Sequence, residues 1–525
     1  ARLCTYRRSM FPSWGTRWAG SLGERGPSWC GLDVCFQAMF AACEHTACPH
    51  SPPRGRQWES VCLALHEGFR RQRLPNDIGC KVLMQACAGG EQWEAAAHVL
   101  GEMLVFLMEP DIKSCVSPLL TVCEQLDLVD REVLLLSRLP VGEGPRGLKV
   151  AGAAAANAAA LRWLEQGHTH LAAETLSEAT ARGHINKASE LLWTACGAAT
   201  QGRPAAFWPR VKRVPWNAPY SKELNTLRYV LLHARAGSPT SVCRMLERYG
   251  SDVLGTSSSW LKVTGNTKAS VLTASVCGAP SQHGVLEIGT YCGYSAVKMA
   301  VAVPRVRIVT LEYDPMHVII ARNVLILAQK AHEVEVWTGH SRDLIPRLAD
   351  RRPARGPVVG AVFMDQRGSR YSDDFEALLR HGLLVAGSVV VADNVLKPGA
   401  PTFLWHTHTS GSVWSHIVEL PEFAMPSDDW MSVSVCTGPC EDGISTLPML
   451  PGLAAGVPEK LALMSRDSDW MRDRAVLPGS VTFKEWSAFA LQMKRRFAEV
   501  GISRSAGVKP HAPAHRHCQH QDEKK

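Results

Sequence analysis

Five short β-branched runs, each followed by helical text, constrain this chain more than any other feature. They read VLEIG (285–289), RIVTLE (307–312), VEVWTG (334–339), AVFMD (361–365) and SVVVAD (388–393). Their apolar character is nearly continuous, as strands covered on both faces require. The text between them (AVKMAVAV, MHVIIARNVLILAQ, SRDLIPRLAD, DDFEALLRHGLL) has helical spacing. This alternation predicts an α/β domain with a doubly wound parallel sheet. HIVEL (416–420) and WMSVSVC (430–436) follow without an obvious helix between them and predict an antiparallel edge.

Upstream the sequence repeats itself. Gln-Trp-Glu at 57–59 recurs at 92–94, an offset of 35 residues, which Leu65, Leu100 and Leu135 also keep, as do Pro75, Pro110 and Pro145. Helical text between such anchors predicts an α-solenoid of helix pairs. The stretch GCKVLMQACAGGEQWEAAAHVLGEMLVFLMEPD resembles a pentatricopeptide repeat, with degenerate neighbours across 38–210. The one-base-per-repeat reading of RNA needs well-formed repeats, which these are not.

Four regions follow. Residues 1–37 are a basic arm: Arg2, Arg7, Arg8 and Arg17 face no acidic residue before position 24, which suits a transit peptide and a truncated arm equally. Residues 38–210 are the pentatricopeptide-like solenoid. Pro204, Pro209 and Pro215 mark a linker before a domain at 216–440, which opens with helices at 222–235 and about 240–249. Residues 441–525 are Pro/Gly-rich, then helical (VTFKEWSAFALQMKRRFAEV), then a polar tail. His511, His515, His517, Cys518 and His520 lie in that tail and read as part of a disordered segment rather than a metal site.

Composition removes several classes. Of 525 residues, 20% are charged and 46% hydrophobic, which excludes wholesale disorder. No apolar run approaches the ~18–20 residues of a membrane span, so no membrane partner is expected. A net charge of +8 permits nucleic acid without arguing for it. The 17 cysteines contain no CxxC pair, which speaks against zinc ribbons and thioredoxin-like chemistry and suits reduced thiols in a reducing compartment.

The chemistry sits at strand ends. Glu287-Ile-Gly-Thr-Tyr-Cys-Gly293 joins the first strand to a helix; its glycines let backbone approach a ligand, but it is not the GxGxxG of a pyrophosphate cradle. It suits a compact ligand such as S-adenosylmethionine. Glu312 ends the second strand, where a carboxylate accepts ribose hydroxyls in nucleotide folds. Asp365 ends the fourth strand, and Asp393 and Asn394 end the fifth. Three hard oxygen donors at neighbouring strand ends suit Mg²⁺.

VLEIGTYCGYSAVKMA, TLEYDP, GHSRDLIPRL, VFMDQRGSRY and VVVADNVLKPGAPTFL, in that order, resemble the catechol O-methyltransferases, as do LRYVLLHARAGSPTSV and WLKVTGNTKA before them. The resemblance covers about 222–436. It implies a Rossmann-like fold, S-adenosylmethionine as donor, and Mg²⁺ ligands at Asp365, Asp393 and Asn394. It implies donor contacts at Thr264, Gly265, Glu287, Gly289, Tyr291, Tyr294, Ser295, Glu312, Ser341 and Asp365, and a substrate wall of Trp260 and Pro398. The glutamate that holds a second catechol hydroxyl falls on Glu422, with Glu419 competing.

One departure stands out. The family reads Asp-His-Trp-Lys where this chain reads Asp365-Gln366-Arg367-Gly368, so the lysine taken as general base is Gly368. Arg367 can stabilise a phenolate but is a poor base, its pKa exceeding ~12. Lys397 lies near in sequence and can substitute. The first reading is therefore Mg²⁺-dependent methyl transfer to a catechol or related phenol. The second is an organellar RNA-binding solenoid carrying a degenerate methyltransferase scaffold. A nicotinamide-dependent oxidoreductase is disfavoured by the missing GxGxxG.

Overall fold

The computed structural model describes Met84 and residues 116–138, 149–196, 219–255, 260–280, 282–350, 359–410, 413–437, 456–476 and 480–505. The chain divides into units 1–82 and 83–525, and every described residue belongs to the second.

Its centre is a seven-stranded sheet in the order β3-β2-β1-β4-β5-β7-β6. The strands are β1 (Gly284–Ile288), β2 (Ile308–Glu312), β3 (Val334–Thr338), β4 (Val359–Met364), β5 (Val389–Ala392), β6 (Val413–Pro421) and β7 (Asp428–Cys436). β1 to β5 pair in parallel, while β7 runs antiparallel to both β5 and β6, giving the expected edge. Neighbouring residues of one strand enter different cores. Val285 and Phe363 pack on one side of the sheet, Leu286 and Met364 on the other. That is why these strands are apolar without alternation.

Before β1 come α1 (Ser117–Gln125), α2 (Val129–Arg138), α3 (Lys149–Glu165), α4 (Thr169–Ala181), α5 (Lys187–Ala195), α6 (Ser221–His233), α7 (Pro239–Arg248) and α8 (Thr267–Gly278). Between strands lie α9 (Tyr294–Ala302), α10 (Pro315–Leu327), α11 (Ser341–Asp350), α12 (Tyr371–Arg380) and α13 (Pro401–Thr409); α14 (Glu459–Arg474) and α15 (Phe483–Glu499) follow β7. Ser238 caps α7 through the backbone N–H of Ser241, with Pro239 behind it, as the Gly-Ser-Pro stop-and-start signal implies.

The helical text before 210 belongs to the same unit as the sheet. Every residue of α10 except His317 is buried, because the sheet covers one side and α3 and α5 the other. Alanines at 153–155 and 158–160 let α3 come close. Charge closes the contact: Arg322 of α10 reaches Glu124 (3.2 Å) and Glu132 (3.0 Å), and Glu132 also takes Arg162 (2.9 Å). All but Arg162 are buried, and removing one partner of such a group costs several kcal/mol (~3–5). Most of the repeat anchors lie outside the described residues, as do the linker prolines and the polar tail. Leu135 falls in α2, and the expected helical text at 168–183 forms α4.

Candidate active site

The carboxyl ends of β1, β2, β4 and β5 meet where the strand order reverses, the usual ligand crevice of an open parallel sheet. On one side stands the β1–α9 turn. Gly289 has φ +100°, and a Cβ there would lie 2.6 Å from the Asp365 carbonyl oxygen. Only glycine lets the two strand ends approach so closely. Glu312 is held by two backbone donors, the N–H of Tyr291 to Oε2 and of Asp314 to Oε1, both 2.8 Å. Burial pushes its carboxyl up, but hydrogen bonds and the charge of His317 outweigh that and hold it below the usual range. Glu287 is fully buried and accepts from Thr310 Oγ1 at 2.5 Å and from Ser295. Burial dominates there and pushes its carboxyl up to about 7. The hydroxyl of Tyr291 donates to Glu223 (2.8 Å), and that of Tyr294 donates to Glu247. Ser341 opens α11 and hydrogen-bonds Asp374, which also takes Gln366 Nε2 at 2.7 Å.

On the other side lies a network of charges. Thr264 Oγ1 sits between Asp365 Oδ2 (3.2 Å) and Asp393 Oδ2 (3.1 Å). Lys268 of α8, wholly buried, places Nζ 2.7 Å from Asp393, 2.8 Å from Glu422 and 3.1 Å from Asp429. Burial favours its neutral form, but these carboxylates outweigh it and keep the ammonium charged. Asn394, in a left-handed conformation at φ 54°, donates its amide to Asp429 (2.7 Å) and Glu422 (3.3 Å). Asp429 also accepts the backbone N–H of Lys397 at 3.1 Å. Lys397 is buried, with Nζ 3.6 Å from Glu422 and 3.5 Å from the Met425 sulfur. Burial raises the Glu422 carboxyl, yet Lys268 and Lys397 hold it down to about 2.

The sequence-derived residues come together unevenly. Asp365, Asn394, Pro398 and Glu422 are partly exposed in this cleft, as are Tyr291, Glu312 and Ser341. Glu419 is elsewhere: it pairs with Lys494 and Arg504, which leaves Glu422 in the cluster. Gly265 is required by Phe423, whose ring would lie 2.5 Å from a Cβ there. Arg367 points to α14, with Asp469 at 2.8 Å and Asp473 at 3.3 Å, so it is a tether between segments rather than an unpaired cation in the cleft. Gly368 has no room for a side chain, since a Cβ would lie 2.2 Å from the Gly399 carbonyl oxygen. Sequence reasoning missed Lys268, Asp429 and the stacked pair Tyr313–His340 (centroids 3.9 Å). Lys268 is the penultimate residue of the WLKVTGNTKA segment and carried a signal; Asp429 carried none.

Among the described residues no group of three or more His, Cys, Asp or Glu side chains is arranged to hold a metal. The set Asp365, Asp393 and Asn394 reaches three oxygen donors only through the amide. Burial and the charge of Asp393 push the Asp365 carboxyl well above its ordinary value. The pair thus calls for more positive charge than Lys268 supplies, and hard oxygen donors fit a hard divalent cation.

With this geometry in place, comparison with known proteins is decisive. The O-methyltransferase family profile matches residues 269–446. Catechol O-methyltransferase of Mus musculus is 36% identical over 193 residues, 37% of this chain and 70% of that protein. The chain belongs to the O-methyltransferase family. Transmembrane O-methyltransferase of Homo sapiens is 35% identical over 210 residues, 39% of this chain and 69% of that one. The chain spans about two thirds of these relatives' length. Among solved structures, the O-methyltransferase TomG from Streptomyces achromogenes, in complex with S-adenosylmethionine, is 27% identical, covering 34% of this chain and 82% of that one at a TM-score of 0.30. As a member of this family the chain is an S-adenosylmethionine-dependent O-methyltransferase. No helix among the described residues is long and apolar enough to cross a membrane.

Proposed function

We propose that this methyltransferase acts on a hydroxyl of a catechol-type acceptor and requires Mg²⁺. The observation that carries the reading is the Asp365–Asp393 pair bridged by Thr264, with Asn394 beside it and Glu422 facing it across Lys268. S-adenosylmethionine supplies the electrophilic methyl. Glu312, its carboxylate fixed by two N–H groups, accepts from the donor's ribose; Glu287, with Ser295 and Thr310, frames the floor of the donor side. Asp365, Asp393 and Asn394 would hold Mg²⁺, which would lower the pKa of a phenol near it.

Glu422, kept ionised by Lys268 and Lys397, accepts a hydrogen bond from the acceptor's second hydroxyl. Two hydroxyls on neighbouring ring carbons suit one cation site and one carboxylate a few ångströms apart, which a simple alcohol cannot use together. Position 368 cannot carry a base, so that role falls to Lys397, whose Nζ lies 3.6 Å from Glu422. General-base catalysis is worth ~10²–10⁴-fold. Alignment of methyl and oxygen contributes independently of it, so a weaker base gives a slower enzyme rather than an inactive one.

The test is methyl transfer from labelled S-adenosylmethionine to catechol by the full chain, with Mg²⁺ and with EDTA. Product that vanishes in EDTA is expected. Donor binding without methylated catechol would refute the acceptor, and EDTA-insensitive product would refute the metal.

A further inference from the structure

We propose that the C-terminal helices α14 and α15 form a wall of the acceptor cleft, and that Phe483 and Trp486 of α15 determine which acceptors fit. The proposal rests on the catechol-type reading above. Both helices lie beyond residue 446, where the family match ends, so they are an addition outside the matched stretch.

Two separate contacts carry the inference, one on Trp260 of the expected substrate wall and one on Gly399, the residue after Pro398. Trp260 stands four residues before Thr264, whose hydroxyl bridges the two aspartates. Its ring meets Phe483 at 6.1 Å and Trp486 at 6.2 Å, the latter edge-on at 90°. Pro398 stands between Lys397 and Gly399. A Cβ at Gly399 would lie 2.9 Å from Ser468 Oγ of α14 and 3.3 Å from the Met493 methyl of α15. The helices therefore press on both sides of the wall. Arg367 adds a third tie, joining the loop after β4 to Asp469 and Asp473.

The aromatic side chains have the burial expected of a wall. Trp486 is 4% exposed, whereas Trp260 and Phe483 remain partly open. The Trp486 indole N–H has no hydrogen-bond partner. Buried donors are nearly always paired, so a polar group on an acceptor ring is a fitting partner for it. A cluster of three aromatic rings favours flat phenols, and the reach of Phe483 limits the substituents such a phenol carries.

The experiment compares the full chain with Phe483→Ala and Phe483→Leu, in Mg²⁺, on catechol and 4-tert-butylcatechol. KM and kcat are measured for each acceptor, affinity for S-adenosylhomocysteine and catechol by calorimetry, and Tm as a fold control. Removing the ring is expected to raise KM for catechol about 5–10-fold and to favour the bulkier acceptor. Affinity for S-adenosylhomocysteine stays unchanged, which a general loss of structure would not allow. The leucine variant shows the same trend, more weakly, and keeps the test valid if alanine prevents folding. Folded variants with the wild-type preference between the two acceptors would overturn the wall while leaving the catechol reading intact. A wild-type chain that neither binds nor methylates catechol removes the acceptor cleft and the wall with it.

Discussion

Glu312 and Glu422 stand on opposite sides of one cleft and are held by different kinds of partner. Glu312 accepts from two backbone N–H groups of the β1–α9 and β2–α10 turns. Glu287 beside it is met by two hydroxyls. Glu422 instead shares the Lys268 ammonium with Asp393 and Asp429, and has Lys397 3.6 Å away. The Glu287–Glu312 side orders its carboxylates chiefly with backbone N–H groups and hydroxyls, with His317 3.7 Å from Glu312 as a titratable neighbour. The acceptor side orders them with buried charges brought from α8, the end of β5, the β6–β7 turn and β7. Such frames are more forgiving, because each donor contributes about 1.5–3 kcal/mol to a charged acceptor and less to a neutral one. A buried charge network is not, since every member depends on the others.

The sharpest way to break this comparison is Lys268→Met. It fits an unbranched chain into the same space and leaves Asp393, Glu422 and Asp429 crowded together without their shared cation. The expected loss is about 3–5 kcal/mol of unfolding free energy, measured by urea denaturation in EDTA. A loss below about 1 kcal/mol, the scale of an exposed pair, would mean the acceptor side is no more charge-dependent than the surface.

The donor side has its own signature, which is pH. A glutamate titrates near 4.5 in the unfolded chain, whereas burial raises Glu287 to about 7 in the fold. Between those values the native state binds the extra proton, so stability is full below pH 4.5 and falls as pH rises through 7. At about 1.4 kcal/mol per pKa unit, the donor-free protein loses on the order of 3 kcal/mol across the window. Glu287→Gln is expected to flatten that part of the stability–pH curve. An unchanged slope would show that Glu287 is ionised in the fold.

These two sides also explain what the sequence made legible. The Glu287–Gly293 turn and Glu312 lie in short local stretches whose chemistry is set by their own neighbours. The β-branched runs declared the strands because burial on both faces leaves no other composition. Asp429 is different: it follows Asp428 in a polar Ser-Asp-Asp step, and only the pairing of β7 with β5 and β6 brings it to Lys268 and Asn394. Helix α14 was hidden by the Pro/Gly-rich text around 441–458, and its role against Gly399 depends on tertiary contact alone. The solenoid expectation drew on helical text that is real in α3 to α5. Yet Arg322, a lone cation inside the apolar run of α10, was the available sign that acidic helices would cover it.

The exchange of the family's lysine for Gly368 is the next point of leverage. Gly368→Lys restores the chemistry on paper, but its Cβ would meet the Gly399 carbonyl oxygen at 2.2 Å, and that oxygen is backbone. The turn must move, and overpacking of this kind costs about 1–3 kcal/mol. The expected result is a lowered Tm and no gain in methyl transfer to catechol. A variant that is both stable and faster would show that the turn at Gly399 gives way easily, and the acceptor side would then resemble the donor side in tolerance.

Arg367→Ala gives the smallest effect and separates a tether from a catalytic group. The arginine is 41% exposed and its partner Asp473 is 61% exposed, so water screens the pair. Exposed pairs contribute about 0.2–1 kcal/mol, and that is the stability change expected on thermal unfolding. If Arg367 stabilised a phenolate, its loss would lower kcat with catechol and leave KM alone, because the charge develops only in the transition state. If it anchors α14 to the loop after β4, kcat stays while KM shifts, since the loop and the wall behind it lose one fixed point. The geometry predicts the second pattern: its guanidinium is already engaged by Asp469 at 2.8 Å, and a cation so paired has little left to give a developing oxyanion.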